Sequence, residues 1–150
     1  MERPYVIENN RERDRLCALV NRITDAELSR SLYEEGWTVA VGLAHLAFWD
    51  TRRIVLLKKW KKESVALSPS DDDVLNDTML PFFLKIDPRE AARLAALSAI
   101  TIDRELERLS PEMVTAIEAL GDPHALNRAL HRKMHLDDIE AVLSGKGTGQ

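Results

Sequence analysis

Two histidines lie four residues apart near the end of the chain, in the segment RALHRKMHLDDIE. Residues at positions i and i+4 of an α-helix lie on one face, roughly 6 Å apart. The imidazoles of His131 and His135 can therefore point to one site, and this spacing recurs in helical zinc sites. His45, on the apolar stripe of an earlier predicted helix, supplies a third ligand if the two helices pack together. Three neutral imidazoles suit zinc, nickel or iron(II).

The spacing alone leaves a second interpretation open. Two of these histidines can lie on a polar helix face and the third can be hydrogen-bonded in the core, because an i, i+4 pair occurs by chance in many helices. The fourth histidine, His124, lies seven residues before His131. That separation is about 10 Å along a helix axis, too far for the same metal ion. We interpret His124 as a residue of the helix start, or at most of a pocket wall.

The single cysteine, Cys17, excludes an internal disulfide and is typical of a reducing compartment, here the cytoplasm. Its neighbours Leu16 and Ala18 are apolar, and no activating group lies nearby in the sequence. This pattern favours a buried structural thiol over a catalytic nucleophile. The first fifteen residues lack the apolar stretch of a secretory signal.

Two runs of like charge have ordinary interpretations. Asp71, Asp72 and Asp73 are consecutive, so on a helix they point around the axis; we favour an acidic first turn over a magnesium site. The lysines of 58–62 are typical of a solvated helix end. With a net charge of −4, no nucleic-acid partner is expected. The apolar stretch 39–49 is too short to cross a membrane.

Several polar or small residues lie close to the histidines in the sequence. Asp50 or Asp138 can orient a ligand imidazole, but we favour surface salt bridges for both. Gly42, one turn before His45, costs about 1 kcal/mol of helix stability relative to alanine. It indicates either a pocket beside the metal or a close helix–helix contact. Asn76 is a second candidate pocket residue, with a simple polar helix position as the alternative.

The rest of the chain shows helical periodicity without the alternation of β-strands, which predicts an all-α protein. Each predicted helix start has a capping signal: Asn9 with Glu12, Thr24 with Glu27, Thr38, Ser70, Asp87 with Pro88, and Ser110. The predicted helix ends are near Trp60, at Pro81, and near Leu109 and Leu143. Asp122-Pro123 is predicted to begin the last long helix.

Four long amphipathic helices with short connecting helices predict a four-helix bundle. We expect one domain over 1–150, with its core at about 8–143 and a flexible, glycine-rich tail at 144–150. The connection between the second and third long helices is the longest. A crossover topology is therefore open, because so long a connection need not join antiparallel neighbours.

The segments GWTVAVGLAHLAFWD and RALHRKMHLDDIE resemble those of the DinB-like superfamily. Within it, the chain is most similar to the N-terminal domain of mycothiol-dependent maleylpyruvate isomerase, over nearly its whole length. The resemblance implies a four-helix bundle in up-down-down-up order and a divalent metal held by His45, His131 and His135. Several members resemble transferases that use a low-molecular-weight thiol such as mycothiol or bacillithiol.

Two functions are therefore expected. The first is a metal-dependent transferase or isomerase that combines a low-molecular-weight thiol with a small-molecule electrophile. The second is a non-catalytic bundle that binds a metal or a small molecule. In either case the protein can form a homodimer, for which Trp60, Phe82 and Phe83 would supply an apolar interface unless they fill the core.

Overall fold

The protein is all-helical in a computed structural model that describes residues 3–34 and 36–145. Within these ranges there are seven helices and no strand, as the sequence predicts. The helices are α1 (Pro4–Arg22), α2 (Asp25–Leu28), α3 (Val39–Lys62), α4 (Asp72–Phe83), α5 (Pro88–Glu107), α6 (Pro111–Glu118) and α7 (Ala129–Leu143). Of the helices in the described ranges, none combines the length and the apolar character needed to cross a bilayer.

Two core clusters define the directions of the four long helices. The first cluster joins the C-terminal halves of α1 and α7 to the N-terminal halves of α3 and α5. The second joins the C-terminal halves of α3 and α5 to Tyr5 of α1 and to Leu126, just before α7. Hence α3 and α5 run in one direction and α1 and α7 in the other, which confirms the up-down-down-up bundle. The long link between α3 and α5 contains α4, and it returns the chain to the end of the bundle where α3 begins.

Most of the predicted helix starts are confirmed. The side chains of Thr38, Asp87 and Ser110 each accept a hydrogen bond from a backbone N–H in the first turn of the helix that follows. Thr24 and Glu27 form the complete capping box. Because these caps satisfy donors that a helix leaves unpaired, they set the boundaries of the helices locally.

Two predicted boundaries of α4 are wrong. Asp71, not Ser70, accepts the capping hydrogen bond from Val74, whereas the Ser70 hydroxyl donates to the Asp72 carboxylate. Pro81 does not end the helix, which continues to Phe83. A proline in the last turn removes a single N–H, so the helix can finish around it.

Two further starts also differ from the prediction. The first helix begins at Pro4 rather than after Asn9, since proline at the first helical position is already set in the helical φ. The last long helix begins at Ala129, and residues 122–128 before it form a non-helical segment with turns at 123–126. Of the predicted flexible tail, Ser144 and Gly145 form a turn, and the remainder lies outside the described residues.

Asn9 lies inside α1 and caps a different helix from the one predicted. Its side chain is buried, its Oδ1 accepts from the backbone N–H groups of Arg128 at 2.8 Å and Ala129 at 2.9 Å, and its Nδ2 donates to the Leu126 carbonyl at 2.9 Å. α7 has no cap from its own N-cap side chain. The predicted partner Glu12 instead accepts a hydrogen bond from Arg15. Asn9 therefore holds the start of α7 against α1.

We expect Asn9→Ala to lower the free energy of unfolding by about 2–4 kcal/mol, because it leaves buried backbone groups at the start of α7 unpaired. Urea unfolding followed by circular dichroism measures the change. Asn10→Ala is the matched control, since Asn10 is only half-buried and, among the described residues, its side chain accepts from Arg13 alone. Equal stabilities of the two variants would contradict the capping role.

Candidate metal centre

The structure brings three histidines of two helices together. His45 comes from α3, and His131 and His135 come from α7. The Nε2 atom of His131 lies 2.9 Å from Nε2 of His45 and 3.2 Å from Nε2 of His135. Among the described residues, no other group of three or more histidine, cysteine or acidic side chains is spaced to hold a metal. The consecutive carboxylates of 71–73 thus do not converge.

The spacing of the three nitrogens fits one metal ion. Nitrogens bound at about 2.1 Å to one ion lie about 3.0–3.4 Å apart when they subtend angles between a right angle and the tetrahedral angle. The two Nε2 separations given above, from His131 to His45 and from His131 to His135, agree with this range to within about 0.1 Å. All candidate ligand atoms of the group lie within 4.8 Å of one another. The site can therefore hold a metal without a large rearrangement of the helices.

Burial keeps the three imidazoles neutral. Loss of solvent lowers the pKa of His45 to about 3, and proximity to His135 lowers it further. The pKa of His131 is lowered to about 2, by burial first and then by its two neighbours. Burial also lowers the pKa of His135 to about 4, although Asp138 opposes the shift. A neutral imidazole has a free lone pair, which is the form that binds metal.

Tyr33 is a residue of this site that the sequence patterns do not reveal. Its hydroxyl lies 3.0 Å from Nδ1 of His135 and donates a hydrogen bond to the Asp138 carboxylate. With that proton committed to Asp138, the tyrosine oxygen accepts from Nδ1–H of His135, so the lone pair of Nε2 faces the other histidines. Burial, and then Asp138, raise the pKa of Tyr33. Asp138 thus reaches His135 through Tyr33.

His45 is held by packing. Its ring lies edge-on to Trp37, with centroids 5.2 Å apart, and to Trp49 at 6.4 Å. Its Nδ1 atom is buried without a hydrogen-bond partner in the described part of the chain. The two indole rings therefore set the orientation that a hydrogen bond sets for His135.

Asp50 does not form the surface salt bridge that we favour from the sequence. It is buried, with Oδ1 2.9 Å from Nε of Arg128 and Oδ2 3.3 Å from Nη2 of Arg132. Arg132 also pairs with Asp103 of α5 at 2.7 Å. The carboxylate is drawn into the core because two guanidinium groups from α7 and its preceding turn compensate its charge.

The two candidate pocket residues lie in different places. A Cβ atom on Gly42 would meet the Leu32 side chain at 2.7 Å, so the glycine permits close packing of α3 against the segment before it. Gly42 is not among the described residues that line the cavity at the histidines. Asn76 does line that cavity, and its Oδ1 accepts from Nε1 of Trp49 at 2.9 Å.

The three histidines open onto a cavity of about 500 Å³. All three tryptophans of the chain, Trp37, Trp49 and Trp60, line it. His124 also lines it. Its favoured interpretation as a helix-start residue is wrong, because α7 begins five residues later, whereas the alternative of a wall residue agrees with the structure. The other walls come from the links after α3 and before α7. The cavity can therefore hold a small molecule next to the histidines.

Cys17 lies away from the cavity, and two of the aromatic residues considered for a dimer interface are packed in the core. Cys17 is half-buried on α1, burial raises the pKa of its thiol, and it is not among the described cavity-lining residues. Trp60 and Phe83 are each 5% exposed and belong to the core clusters. Phe82 alone of the three is exposed, at 63%. Cys17 is therefore not placed to act at the three histidines.

The lowered histidine pKa values make the stability of the metal-free protein depend on pH. The unfolded chain binds protons on these side chains below about pH 6.5, whereas the folded chain does not until about pH 4 or below. Stability contributed by the neutral imidazoles is thus present above pH 6.5 and is lost as the pH falls. Each histidine contributes up to about 1.4 kcal/mol per pH unit.

We therefore expect chelator-treated protein to lose stability steadily between pH 7 and pH 5, as measured by urea unfolding. His45→Gln removes one of the three groups and reduces the slope by about one third. Carboxylates with lowered pKa values, such as Asp122, titrate mainly below this interval. A wild-type stability that stays constant from pH 7 to pH 5 would contradict the burial of three neutral imidazoles.

Comparison with known proteins agrees with the geometry. The family model for the mycothiol maleylpyruvate isomerase N-terminal domain matches residues 10–144. The matched range includes all three clustered histidines and the four long helices almost completely. Searches of curated proteins and of solved structures gave no significant match. The chain belongs to the family of the mycothiol maleylpyruvate isomerase N-terminal domain, within the DinB-like superfamily.

Proposed function

We propose that the protein binds one divalent metal ion through Nε2 of His45, His131 and His135. We further propose that it is a transferase or isomerase that joins a low-molecular-weight thiol to a small electrophile at this site. The observation that carries the proposal is the convergence of three neutral imidazole nitrogens on a cavity. Family membership supports it, because the family is named for a mycothiol-dependent isomerase.

The donor set is consistent with zinc, nickel or iron(II), for which imidazole is a suitable ligand. A bound dication would supply Lewis acidity, which lowers the pKa of a thiol or water so that a nucleophile exists at neutral pH. The chain would contribute the rest. Tyr33 fixes the tautomer of His135, Trp37 and Trp49 orient His45, and the tryptophan walls exclude water.

The alternative is a bundle that binds metal or a small molecule without turnover. The same cavity supports both functions, so the two are separated by an activity measurement. A homodimer remains a proposal for either function, and its interface would not use Trp60 or Phe83, which are buried within the chain. We propose a cytoplasmic location, because a single free cysteine without a disulfide partner is typical of proteins of reducing compartments.

We expect untagged protein to bind about one divalent ion per chain, and Ni²⁺ to quench its tryptophan fluorescence. Trp37 and Trp49 lie against His45, so a paramagnetic ion at the histidines is within contact range of both indoles. His45→Gln removes one of three ligands and should weaken Ni²⁺ binding at least about 100-fold. Titration of fluorescence, with elemental analysis for stoichiometry, measures both.

Two matched variants sharpen this test. His124→Gln changes the fourth histidine, which lines the cavity outside the triad, and should bind Ni²⁺ like wild type. Tyr33→Phe should weaken binding about 10- to 100-fold, because loss of such a supporting hydrogen bond has this effect in metal sites. Tyr5→Phe is the control for Tyr33→Phe, because the Tyr5 hydroxyl donates to the Leu106 carbonyl, away from the histidines. Wild-type protein that binds neither Ni²⁺ nor Zn²⁺ would refute the metal site.

For the reaction, we expect metal-loaded protein to accelerate thiol addition to a small electrophile with at least one of mycothiol, bacillithiol and glutathione. His45→Gln should lose this acceleration, whereas His124→Gln should keep metal-dependent turnover. Consumption of thiol over time measures the rate. Metal binding without turnover for any of the three thiols would favour the non-catalytic alternative.

A further inference from the structure

One face of α3 runs along the cavity and carries a cation away from the histidines. His45, Trp49, Arg52, Leu56 and Trp60 recur at helical spacing on this face, and all five line the cavity. Arg52 follows His45 by seven residues, which is about 10 Å along the helix axis. The cavity therefore has the histidines at one end of this face and the Arg52 guanidinium about two turns away, with the Trp49 ring between them.

Arg52 differs from the other arginines of the cavity in having no carboxylate partner within the described chain. Its Nη2 donates to the backbone carbonyl of Ser68 at 2.7 Å and to the Ser68 hydroxyl at 3.2 Å. Its guanidinium lies 5.8 Å from the centroid of the Trp49 ring. Arg53 is paired with Asp122, and Arg128 with Asp50. Because a guanidinium has five N–H donors, Arg52 retains donors for a ligand.

Two of the three arginines that line the cavity are neutralised by salt bridges. Arg128 is paired with the buried Asp50, and the cavity wall itself carries the carboxylates of Asp72 and Asp122. Asp122 is already paired with Arg53. Asp72 accepts from the Ser70 hydroxyl in the first turn of α4, where the helix dipole offsets part of its charge. Among the described residues of the cavity wall, Arg52 is thus the arginine that is free to pair with a bound anion.

We propose that the cavity binds an elongated organic carboxylate whose anionic group pairs with Arg52. Its apolar body lies along Trp49, and its other end reaches the three histidines. Planar guanidinium groups bind carboxylates with two parallel hydrogen bonds, which gives both affinity and orientation. This inference rests on the proposed function, since it names the class of molecule held at the same site. Either the thiol or the electrophile can carry the carboxylate.

The test compares octanoate with octan-1-ol, which have the same chain length and differ in charge. Binding is followed by tryptophan fluorescence, because all three tryptophans line the cavity. Wild-type protein should bind octanoate at least about tenfold more tightly than octan-1-ol, as expected for a charge-assisted hydrogen-bonded pair. Arg52→Gln should bind the two alike. Lys58→Gln, an equal change of charge at an exposed position of α3, should keep the preference.

The measurement is made on metal-loaded and on chelator-treated protein. If chelator-treated protein prefers octanoate, the carboxylate proposal is supported whether or not the protein binds a metal. If the protein binds a metal but does not prefer octanoate, the carboxylate proposal is refuted and the metal proposal is not. Arg52→Lys keeps the charge and should retain part of the preference, which guards against a folding defect in Arg52→Gln. Equal binding of acid and alcohol by wild type, no binding of octanoate, or an unchanged preference in folded Arg52→Gln would each overturn the proposal.

Competition then identifies which molecule carries the carboxylate. Glutathione and bacillithiol bear carboxylates, whereas mycothiol does not. If the thiol occupies Arg52, these two thiols displace octanoate and mycothiol does not. If the electrophile occupies Arg52, none of the three thiols displaces octanoate. Both results support a carboxylate at Arg52 and assign it to one partner.

Discussion

The buried guanidinium of Arg132 is the contact on which the position of the last helix depends. Its side chain is fully buried, and it reaches Asp50 of α3 and Asp103 of α5 from the first turn of α7. Although burial works against the charged form, the two carboxylates raise the pKa of Arg132. Removing one partner of such a pair typically costs 3–5 kcal/mol, roughly, because a charge is left uncompensated. The rotation and height of α7 relative to α3 are therefore tightly constrained.

This constraint places the histidines. His131 precedes Arg132 directly, and His135 follows one turn later, so both lie at fixed positions next to the arginine. Since Arg132 pairs with Asp50, five residues after His45, the same contact brings His45 opposite the pair on α7. Asp50 thus does not contact a histidine as the sequence allowed. It acts on the site indirectly, because its pairing with Arg132 fixes how α3 and α7 pack together.

Sequence patterns predict the helices and the histidine triad but not the contacts between elements. Periodicity and caps are properties of a single helix, so the sequence predicts the i, i+4 histidine pair and the apolar stripe that contains His45. Tyr33 was not, because it lies in an irregular segment whose path depends on Leu32 packing against Gly42. Asn9 has the composition of a cap, and only the assembled bundle shows that it caps α7 rather than α1.

The largest error in the predicted boundaries has a functional meaning. If the last helix began at Asp122-Pro123, residues 122–128 would be part of a continuous helix. They would then not form the wall of the cavity that they form in the structure. Instead α7 begins at Ala129, and the non-helical segment 122–128 brings Asp122, His124 and Arg128 to the cavity. Asn9 makes this late start stable, because it supplies from α1 the cap that this segment itself lacks. The rule that Asp-Pro marks a helix start therefore fails at the segment that forms the wall of the cavity.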